Sequence, residues 1–404
     1  MHPLILLHRW LQATCPFMHR RRLRALLLAV GALLDGQRLT LSDLGRHLPG
    51  CGSPRHDIKR IDRLLGNRHL HVERPILYQA LAAWTLSAHR RPVLLVDWSD
   101  LSVIAGRRRH LVLKAALSYR GRAVTIYEEV HPLSSYNTAR VHRLFLRRLA
   151  TIVPPHCHPI VVSDAGFRGP WFKAVEALGW DWVGRVRDAV RYSADEGRSW
   201  PLTTELHARA TPTLQELGRC RVARRYPYEA TLFLIRKYRP RGAGRPRRSH
   251  GHHYNAQVGR KRHKEPWLLA TSLPPSRGLG KKIVTLYSRR MQIEHTFRDD
   301  KGKRWGWQLG YSGSRTIGRL QVLLLIAALA TFVSWLAGLA AESRGWLARL
   351  QVGSRNTRRS LSTVFIGRYL LRRQPGWLDE KALLESVLAL PDILARPPDF
   401  VGIP

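Results

Sequence analysis

One segment limits the possible folds of this chain more than any other. Residues 322–341 read VLLLIAALATFVSWLAGLAA and contain no charged side chain. In a helix, such a run extends about 30 Å, which is enough to cross the hydrocarbon core of a bilayer. It is therefore either a membrane anchor or a helix surrounded by protein. We favour the buried helix, because the run directly follows another predicted helix and basic residues flank it on both sides. The anchor stays an alternative.

The charge balance of the chain indicates a polyanionic partner. Its 404 residues include 68 Lys and Arg against 28 Asp and Glu, a formal net charge of +40. A hydrophobic content of 44% predicts a globular chain with two or three domains. Nucleic acid is the default partner for so basic a protein. A ribosomal-type or simply solvated basic protein is the alternative, and the apolar segments disfavour it.

The cysteines and histidines predict neither disulfides nor structural zinc. The four cysteines form no CxxC pair, which is typical of a protein in a reducing cytoplasm. The histidines at 156–158 and 250–255 lack a second ligand pair at zinc spacing, so we assign them to solvated loops. The N-terminus lacks the uninterrupted apolar run and cleavage site of a signal peptide.

Residues 1–90 have the pattern of a helical domain. Helices are predicted at 19–34, 40–48 and 55–67. A short helix, a glycine-containing turn and a basic helix are similar to a helix-turn-helix, although small helical bundles have the same pattern. The candidate DNA contacts lie on the last helix, away from its apolar face: Lys59, Arg60 and Arg63.

Residues 91–190 change to a mixture of strands and helices. Apolar strands are predicted at 92–98, 110–119, 123–130, 159–164 and 181–187, with helices at 138–153 and 169–179. The order β-β-β-α-β-α-β predicts an α/β fold, a mixed sheet with helices on its faces.

The rest of the chain interrupts and then extends this core. Residues 188–275 contain a predicted hairpin (217–226 with 231–238), a basic low-complexity arm (239–264) and a strand (266–273). Residues 342–404 are predicted to be helical and to serve DNA contact or dimerisation.

Two of the few acidic residues follow apolar strands, and a third lies in a basic helix. Asp97 and Asp164 are placed where neighbouring strands end, although aspartate is also common there as a turn residue. The segment 287–302, YSRRMQIEHTFRDDKG, predicts a single helix that stops at Gly302 and carries Glu294.

That helix has two stripes at helical spacing. One is apolar and should pack on the core: Leu286, Ile293 and Phe297. The other should face a polar cleft: Tyr287, Arg290, Glu294, Arg298 and Lys301. Taken alone, Glu294 would fit an exposed helix with i,i+4 ion pairs. Together with the two strand aspartates, it would complete a carboxylate site for two divalent ions in a basic cleft.

Several motifs resemble one enzyme family. The spacing Y-x2-R-x3-E-x6-K fits Tyr287, Arg290, Glu294 and Lys301 without a gap, and the surroundings of Asp97 (96–100) and Asp164 (163–180) are also similar. Further similarity lies at 335–338 and 361–364. Over nearly its whole length, the chain resembles the DDE transposases of bacterial insertion sequences. It is similar to the family named after insertion sequence four, and within it to cut-and-paste transposases of the insertion sequence ten type.

The resemblance implies an RNase H-like core with a mostly β insertion between the second aspartate and the glutamate. Asp97, Asp164 and Glu294 would form the catalytic triad and hold two Mg²⁺ ions, for which Mn²⁺ can substitute. The implied contacts to the DNA strand near the cleaved end are Tyr287, Arg290 and Lys301, and the basic stripe adds Arg298.

Three further residues near the signature have expected roles. In related transposases, an insertion-domain tryptophan stacks on a flipped base, and Trp267 is the candidate here. A core tryptophan on an edge strand is the equal alternative. Asp299 and Asp300 are expected to be solvated and outside the triad.

The resemblance implies three regions and a cut-and-paste transposase acting on double-stranded DNA. Residues 1–90 would bind the element ends, 91–341 would form the catalytic core with its 188–275 insertion, and 342–404 would follow as the helical region. A homodimer would pair the ends in the cytoplasm, at the nucleoid and without a membrane. Two alternatives stay open: a structure-specific RNase H-like resolvase, and a non-catalytic DNA-binding repressor.

Overall fold

A computed structural model describes residues 3–50, 52–101, 109–119, 122–236, 265–302, 306–350, 361–378 and 380–389. The predicted basic arm at 239–264 and the histidines at 250–255 lie outside the described residues. The chain forms two compact units. Unit 1 consists of Met1–His158 and Met291–Pro404, and unit 2 of Pro159–Arg290. These bounds differ from the three predicted regions, because helices from the end of the chain pack on helices from its beginning.

Over its described residues, unit 1 contains three strands and most of the helices. Its first segment comprises α1 (Pro3–Thr14), α2 (Arg20–Gly36), α3 (Leu41–Arg46), α4 (Pro54–Leu65), α5 (Arg68–Thr85), β1 (Val93–Asp100), β2 (His110–Tyr119), β3 (Arg122–Pro132) and α6 (Ala139–Ile152). Its second segment comprises α10 (Met291–Lys301), α11 (Ile317–Ser343), α12 (Leu347–Leu350), α13 (Thr363–Arg373) and α14 (Glu380–Leu388).

The strands of unit 1 form an antiparallel meander. β2 pairs with β1 on one side and with β3 on the other. Helices α5, α6, α10 and α11 all pack against β3. Strands β2 and β3 are therefore buried along most of their length, which is why their sequences do not alternate strictly between apolar and polar residues.

Helix α11 is the centre of unit 1. It contacts α1, α2, α4, α5, α13, α14 and β3, and 94% of its most apolar 18-residue window is buried. Among the described residues, it is the one helix long and apolar enough to cross a membrane. The predicted buried helix is confirmed. Its backbone touches that of α13, because a Cβ atom built on Gly367 would lie 1.7 Å from the Ser334 carbonyl oxygen.

The described part of unit 2 forms a six-stranded sheet with helices packed on it. It comprises β4 (Ile160–Ser163), α7 (Gly169–Glu176), β5 (Asp181–Val186), β6 (Tyr192–Ser193), α8 (Thr203–Arg209), β7 (Gln215–Val222), β8 (Tyr228–Ile235), β9 (Trp267–Thr271) and α9 (Leu279–Ser288). The strand order is β4-β5-β9-β8-β7-β6, in which β4 and β5 are parallel and the other pairs antiparallel. The predicted hairpin is confirmed as β7 and β8.

The predicted fold class is confirmed. The chain order β1, β2, β3, α6, β4, α7, β5 is the expected β-β-β-α-β-α-β series. The strands include both antiparallel pairs, such as β1 with β2, and a parallel pair, β4 with β5, as in a mixed sheet. This is the α/β arrangement of an RNase H-like core with helical flanks.

Candidate active site

Asp97 lies within strand β1 rather than at its end. The expectation that the strand stops there is wrong, because β1 continues to Asp100 and pairs with β2 throughout. The Asp97 side chain is 9% exposed, and its Oδ1 accepts a hydrogen bond from the Trp98 amide at 2.8 Å. The strand therefore holds this carboxylate in one orientation at a nearly buried position.

Trp98, the residue after Asp97, is held by a hydrogen bond to a histidine of α6. The Trp98 indole Nε1 donates a hydrogen bond to His142 Nε2 at 3.1 Å. His142 is buried, and burial lowers its pKa to about 4. The imidazole is thus neutral at physiological pH, with Nε2 as the acceptor. This bond orients the strand just beyond the Asp97 carboxylate.

The signature segment is two helices, not one. Helix α9 ends at Ser288 and α10 begins at Met291, with Arg289 and Arg290 in a turn between them. The predicted continuous helix over 287–302 is therefore wrong. The break has a packing reason: α9 packs on β4, β5 and β9 of unit 2, whereas α10 packs on β1, β2 and β3 of unit 1.

Helix α10 presents Glu294 from its first turn. Ile293 and Phe297 are buried, as the apolar stripe predicted, while Glu294 is half-buried and Arg298 is exposed. A carboxylate in a first helical turn is favoured by the positive end of the helix dipole. The expected stop is confirmed at Lys301, and the Gly302 amide caps it by bonding to the Arg298 carbonyl at 2.7 Å.

Lys301 connects the end of α10 to strand β1. Its Nζ donates to Ser99 Oγ at 2.7 Å and to the Asp100 carbonyl at 3.0 Å. Burial lowers its pKa. These bonds link the helix of Glu294 to the strand of Asp97. The predicted contact of Lys301 with DNA stays a prediction.

A buried ion cluster lies beneath α10. Lys114 Nζ is 2.6 Å from Asp300 Oδ2 and 3.0 Å from Glu128 Oε2, and the Lys114 side chain is 1% exposed. Asp299 pairs with Arg122 at 3.2 Å. The expectation that Asp299 and Asp300 are solvated is wrong, because burial raises the pKa of Asp299 and Asp300 is 5% exposed.

The cluster also has a fixed relation to Asp97. Lys114 is the register partner of Asp97 on β1 and of Glu128 on β3, so the three side chains leave the same face of the meander. Sequence reasoning missed Lys114 and Glu128. A usable signal existed, since a lysine and two glutamates interrupt otherwise apolar strands, and buried charges are rare unless paired.

In unit 2, Asp164 comes directly after strand β4, as predicted. Its Oδ1 accepts a hydrogen bond from the Gly166 amide at 2.8 Å. This is the Asx-turn geometry expected of aspartate after a strand. The turn holds the carboxylate at the carboxyl end of β4, where α/β folds commonly place functional groups.

An aromatic and basic group lies beside Asp164. The Tyr287 ring is 5% exposed and meets the Trp267 ring edge-on, with centroids 4.9 Å apart. The Arg290 guanidinium is 6.0 Å from the Tyr287 ring centroid. Burial raises the pKa of Tyr287, Arg290 and Arg185 lower it, and the Asp164 charge raises it further. The polar-cleft expectation for Tyr287 is therefore wrong: it is buried on α9.

Trp267 begins strand β9, which lies between β5 and β8. The edge-strand alternative is therefore wrong. The Trp267 side chain is half-buried, since one face packs on Tyr287. Its role as a base-stacking residue stays a prediction.

The N-terminal helices place the other predicted DNA contacts. Helix α3 packs on α4 so closely that a Cβ atom on Gly45 would lie 2.7 Å from Ile58 Cα. Lys59, Arg60 and Arg63 are all exposed on α4. Arg60 is also 2.8 Å from Asp57. The pair has the order of a helix-turn-helix, and DNA contact stays a prediction.

The three predicted triad members are thus distributed over the two units. Asp97 and Glu294 belong to unit 1 and Asp164 to unit 2. Over the described part of the chain, no group of three or more His, Cys, Asp or Glu residues is arranged to hold a metal ion. The donor chemistry nevertheless fits a hard divalent cation, because all three residues offer carboxylate oxygens.

Comparison with known proteins assigns most of this region to one family. The sequence model of the family described as Transposase DDE domain matches residues 88–333, more than half of the chain. The matched range contains Asp97, Asp164 and Glu294. A search of curated proteins found no match.

Proposed function

Because this chain belongs to the family of transposases with a DDE domain, we propose that it is a cut-and-paste transposase of the group named after insertion sequence four. One observation carries the proposal. The matched segment, residues 88–333, contains both strand aspartates and the complete signature from Tyr287 to Lys301. It would bind the terminal inverted repeats of its element, excise the element and join it to target DNA.

Asp97, Asp164 and Glu294 would hold two Mg²⁺ ions, or Mn²⁺ in their place. When bound, such ions lower the pKa of an attacking water or 3′-hydroxyl and stabilise the leaving oxygen of a phosphodiester. Support for these roles comes from the fixed orientation of Asp97 and Asp164, each of which accepts one backbone amide. A carboxylate held in this way has less rotational freedom to lose on binding.

The proposed reaction is a series of phosphoryl transfers. Water first attacks the phosphorus at each element end, the P–O3′ bond breaks, and the released 3′-oxygen takes a proton. That 3′-hydroxyl then attacks a phosphorus of the opposite strand. The P–O3′ bond to the flanking DNA breaks, the flanking DNA leaves with a 3′-hydroxyl, and the element end becomes a hairpin. A second water attacks the hairpin phosphorus and breaks the new P–O3′ bond, which restores the 3′-hydroxyl. The freed 3′-hydroxyls finally attack phosphorus atoms of target DNA, and each attack breaks a P–O3′ bond and releases a 3′-hydroxyl of the target strand. One site can run all four steps, because only the nucleophile changes.

The remaining residues of the signature would position the DNA. Arg290 and Trp267 lie at the Tyr287 ring, beside Asp164, so a strand end bound there would meet a cation and an aromatic face together. Arg298 is exposed one turn after Glu294 and would contact a phosphate. The N-terminal Lys59, Arg60 and Arg63 would read or hold the inverted repeat, and a homodimer would pair the two ends at the nucleoid.

A cleavage assay tests the proposal. Purified protein would be incubated with Mg²⁺ and DNA that carries the flanking ends of its own gene, and the products separated on a denaturing gel. We expect nicked, hairpin-ended and excised products from the wild type and none from Glu294→Gln. Glu294→Gln should keep normal circular dichroism and normal binding to end DNA, because it removes a charge and preserves the shape of the side chain.

The other outcomes identify the two alternative functions. Cleavage of branched DNA without preference for the ends would identify a structure-specific resolvase. Specific binding without cleavage by either protein would identify a regulatory DNA-binding protein. Equal cleavage by wild type and Glu294→Gln would exclude Glu294 as a metal ligand.

A further inference from the structure

Unit 1 contains a basic cavity away from the candidate triad. The end of α2, helix α3 and helix α13 enclose an open cavity of about 440 Å³. Four arginines line it: Arg38, Arg368, Arg372 and Arg373. None of them belongs to the predicted site, and Arg38 lies more than 300 residues before the other three.

Arg368 forms a fixed cation in the wall of the cavity. Its guanidinium carbon lies 3.8 Å from the centroid of the Trp307 ring, and its Nε donates to Gln37 Oε1 at 3.0 Å. Its pKa is lowered to about 10, mainly by burial; the Asp299 charge opposes this shift and the Arg372 charge adds to it. The group thus stays charged at neutral pH. Stacking and hydrogen bonding hold it in place, as in sites where arginine binds phosphate.

The lining has more positive than negative charge. Its one carboxylate among the described residues, Asp43, accepts a hydrogen bond from Thr40 Oγ1 at 2.6 Å in the cap of α3. Arg38, Arg372 and Arg373 are exposed and form no ion pair with any residue that the structure describes. Guanidinium groups collected in one cavity repel each other, so a bound anion would relieve an unfavourable field.

The surface next to the cavity indicates which kind of anion the cavity would bind. Helix α3 lines the cavity and also packs on α4, whose exposed face carries Lys59, Arg60 and Arg63. Because α3 contacts both the cavity and α4, a duplex bound by α4 is the polyanion that the proposed function would bring close to the cavity. Exposed Tyr369 lies at the cavity and offers a hydroxyl that can donate to a phosphate oxygen.

We propose that this cavity is a phosphate pocket for the backbone of duplex DNA, in which Arg38, Arg372 and Arg373 contact consecutive phosphates beside the segment bound by α4. The inference rests on the proposed function, since it assumes that the partner is DNA. It adds a C-terminal contribution from α13 to end binding, beside the contacts proposed for the N-terminal helices and for the signature residues.

The test compares two double substitutions that remove the same charge. Arg372→Ala/Arg373→Ala changes the cavity. The matched control, Arg143→Ala/Arg147→Ala, removes two exposed arginines of α6. Binding to a fluorescent duplex with the element end would be measured without divalent metal, by anisotropy, over a range of salt concentrations. Thermal melting of each variant would confirm that it is folded.

We expect the cavity variant to bind at least about tenfold more weakly near 0.15 M salt. The slope of log K against log salt should fall in magnitude by about 1–2, since each lost phosphate contact contributes about 0.9. The α6 control should keep the wild-type slope and lose less than about twofold in affinity, because a charge outside the interface acts only through a screened field. Arg38→Ala should reproduce about half of the change in slope.

Two results would overturn the proposal. Equal losses in the cavity variant and the α6 control would mean that only net charge matters. Unchanged DNA binding, together with stabilisation of wild type but not of the cavity variant by millimolar inorganic phosphate, would assign the cavity to a small free anion. Either result leaves the proposed function standing if the wild type cleaves end DNA. If the wild type does not cleave end DNA, but the cavity variant loses affinity and salt dependence as expected, the proposed cleavage function is overturned and the phosphate pocket stands.

Discussion

The two units of this protein bury different kinds of polar side chain. In the described part of unit 1, the buried side chains include charged groups such as Arg74, Asp97, Lys114, Glu128 and Asp300. In the described part of unit 2, apart from aromatic residues, the buried polar side chains are all serine or threonine. Each unit nevertheless carries at least one predicted catalytic carboxylate. They therefore stabilise the structure that carries those carboxylates by different means.

Unit 1 uses charge. The line Asp97–Lys114–Glu128 crosses three strands, and Asp300 joins it from α10. Tyr78 donates to the same glutamate, from its hydroxyl to Glu128 Oε1, at 2.9 Å. Desolvating such ions is costly, and their attraction offsets this cost only in one geometry. The cluster therefore specifies how α10 lies on the meander, and with it the relation between Asp97 and Glu294.

Unit 2 uses ring packing. Phe172 stacks on Trp182 with centroids 4.0 Å apart, and Tyr228 contacts both rings. Gly184 leaves the space that the Phe172 ring occupies. The rings do not titrate in the acid range. The two units thus show two ways of stabilising the structure around a site. Paired ions fix the orientation of the elements that carry them, but their pairing depends on pH. Packed rings fix the arrangement of their elements at any acid or neutral pH.

The largest expected effect is the loss of Lys114. Lys114→Met leaves two buried carboxylates without their cation and should reduce the free energy of unfolding by about 3–5 kcal/mol. Urea denaturation would measure it, and hydrogen exchange should report loss of protection in β1–β3 and α10. A variant that also carries Glu128→Gln and Asp300→Asn should recover part of the loss. A cost below about 1 kcal/mol would contradict the strong burial of the cluster.

The next effect is the pH dependence that His142 gives to unit 1. Burial lowers the pKa of His142 to about 4, so the unfolded chain binds more protons than the folded one between about pH 6.5 and 4. The contribution of neutral His142 to the free energy of unfolding is present above about pH 6.5 and is lost as the pH falls through this window. We expect wild type to lose roughly 2–3 kcal/mol more than His142→Gln between pH 7 and 4.5. Parallel curves for the two proteins would contradict a buried neutral His142.

A smaller effect tests the packing of unit 2. A Cβ atom on Gly184 would lie 2.5 Å from Phe172 Cζ, so Gly184→Ala should displace the ring from Trp182. The expected cost is roughly 1–2 kcal/mol by urea denaturation, and it should be the same at pH 7 and pH 5. Adding Phe172→Leu should make the alanine nearly neutral, because it removes the clashing atoms. Additive costs in the double variant would show that the clash is not the cause.

The smallest effect compares an exposed ion pair with the buried one. Arg219 and Glu229 pair across β7 and β8 in unit 2, with side chains 79% and 48% exposed. Arg219→Ala should change the free energy of unfolding by less than about 0.5 kcal/mol, because water screens the pair and already solvates both ions. Lys114→Met provides the reference. Similar costs for the two variants would mean that burial does not decide what an ion pair contributes.

Much of the fold follows from periodicity. Apolar runs identified β1–β5 and the β7–β8 hairpin, and an uncharged run identified α11, because backbone groups and apolar side chains impose these patterns locally. The candidate acids were found for a similar reason: Asp164 stands out after an apolar strand, and Glu294 in a basic helix. Their roles as a triad came from the resemblance to a family rather than from spacing.

The wrong predictions about the signature helix and Asp300 share one cause. The spacing of apolar and polar residues does not identify which residues a side chain contacts in the folded chain. The spacing of Tyr287, Arg290 and Glu294 fits one helix, yet the chain turns at Arg289–Arg290, because α9 and α10 pack on different strands. From the sequence, Asp300 is expected to be solvated. In the structure it pairs with Lys114, which lies 186 residues earlier in the chain.

The sequence by itself determined the family, the α/β class, the buried α11 helix and the candidate catalytic and DNA-contacting residues. Only the tertiary structure decided which charges are buried, where the signature helix breaks, and that Arg38 and Arg372 share one cavity. The reason is physical. Helices and strands arise from interactions between near neighbours, whereas the burial and pairing of a charge depend on residues that only folding brings together.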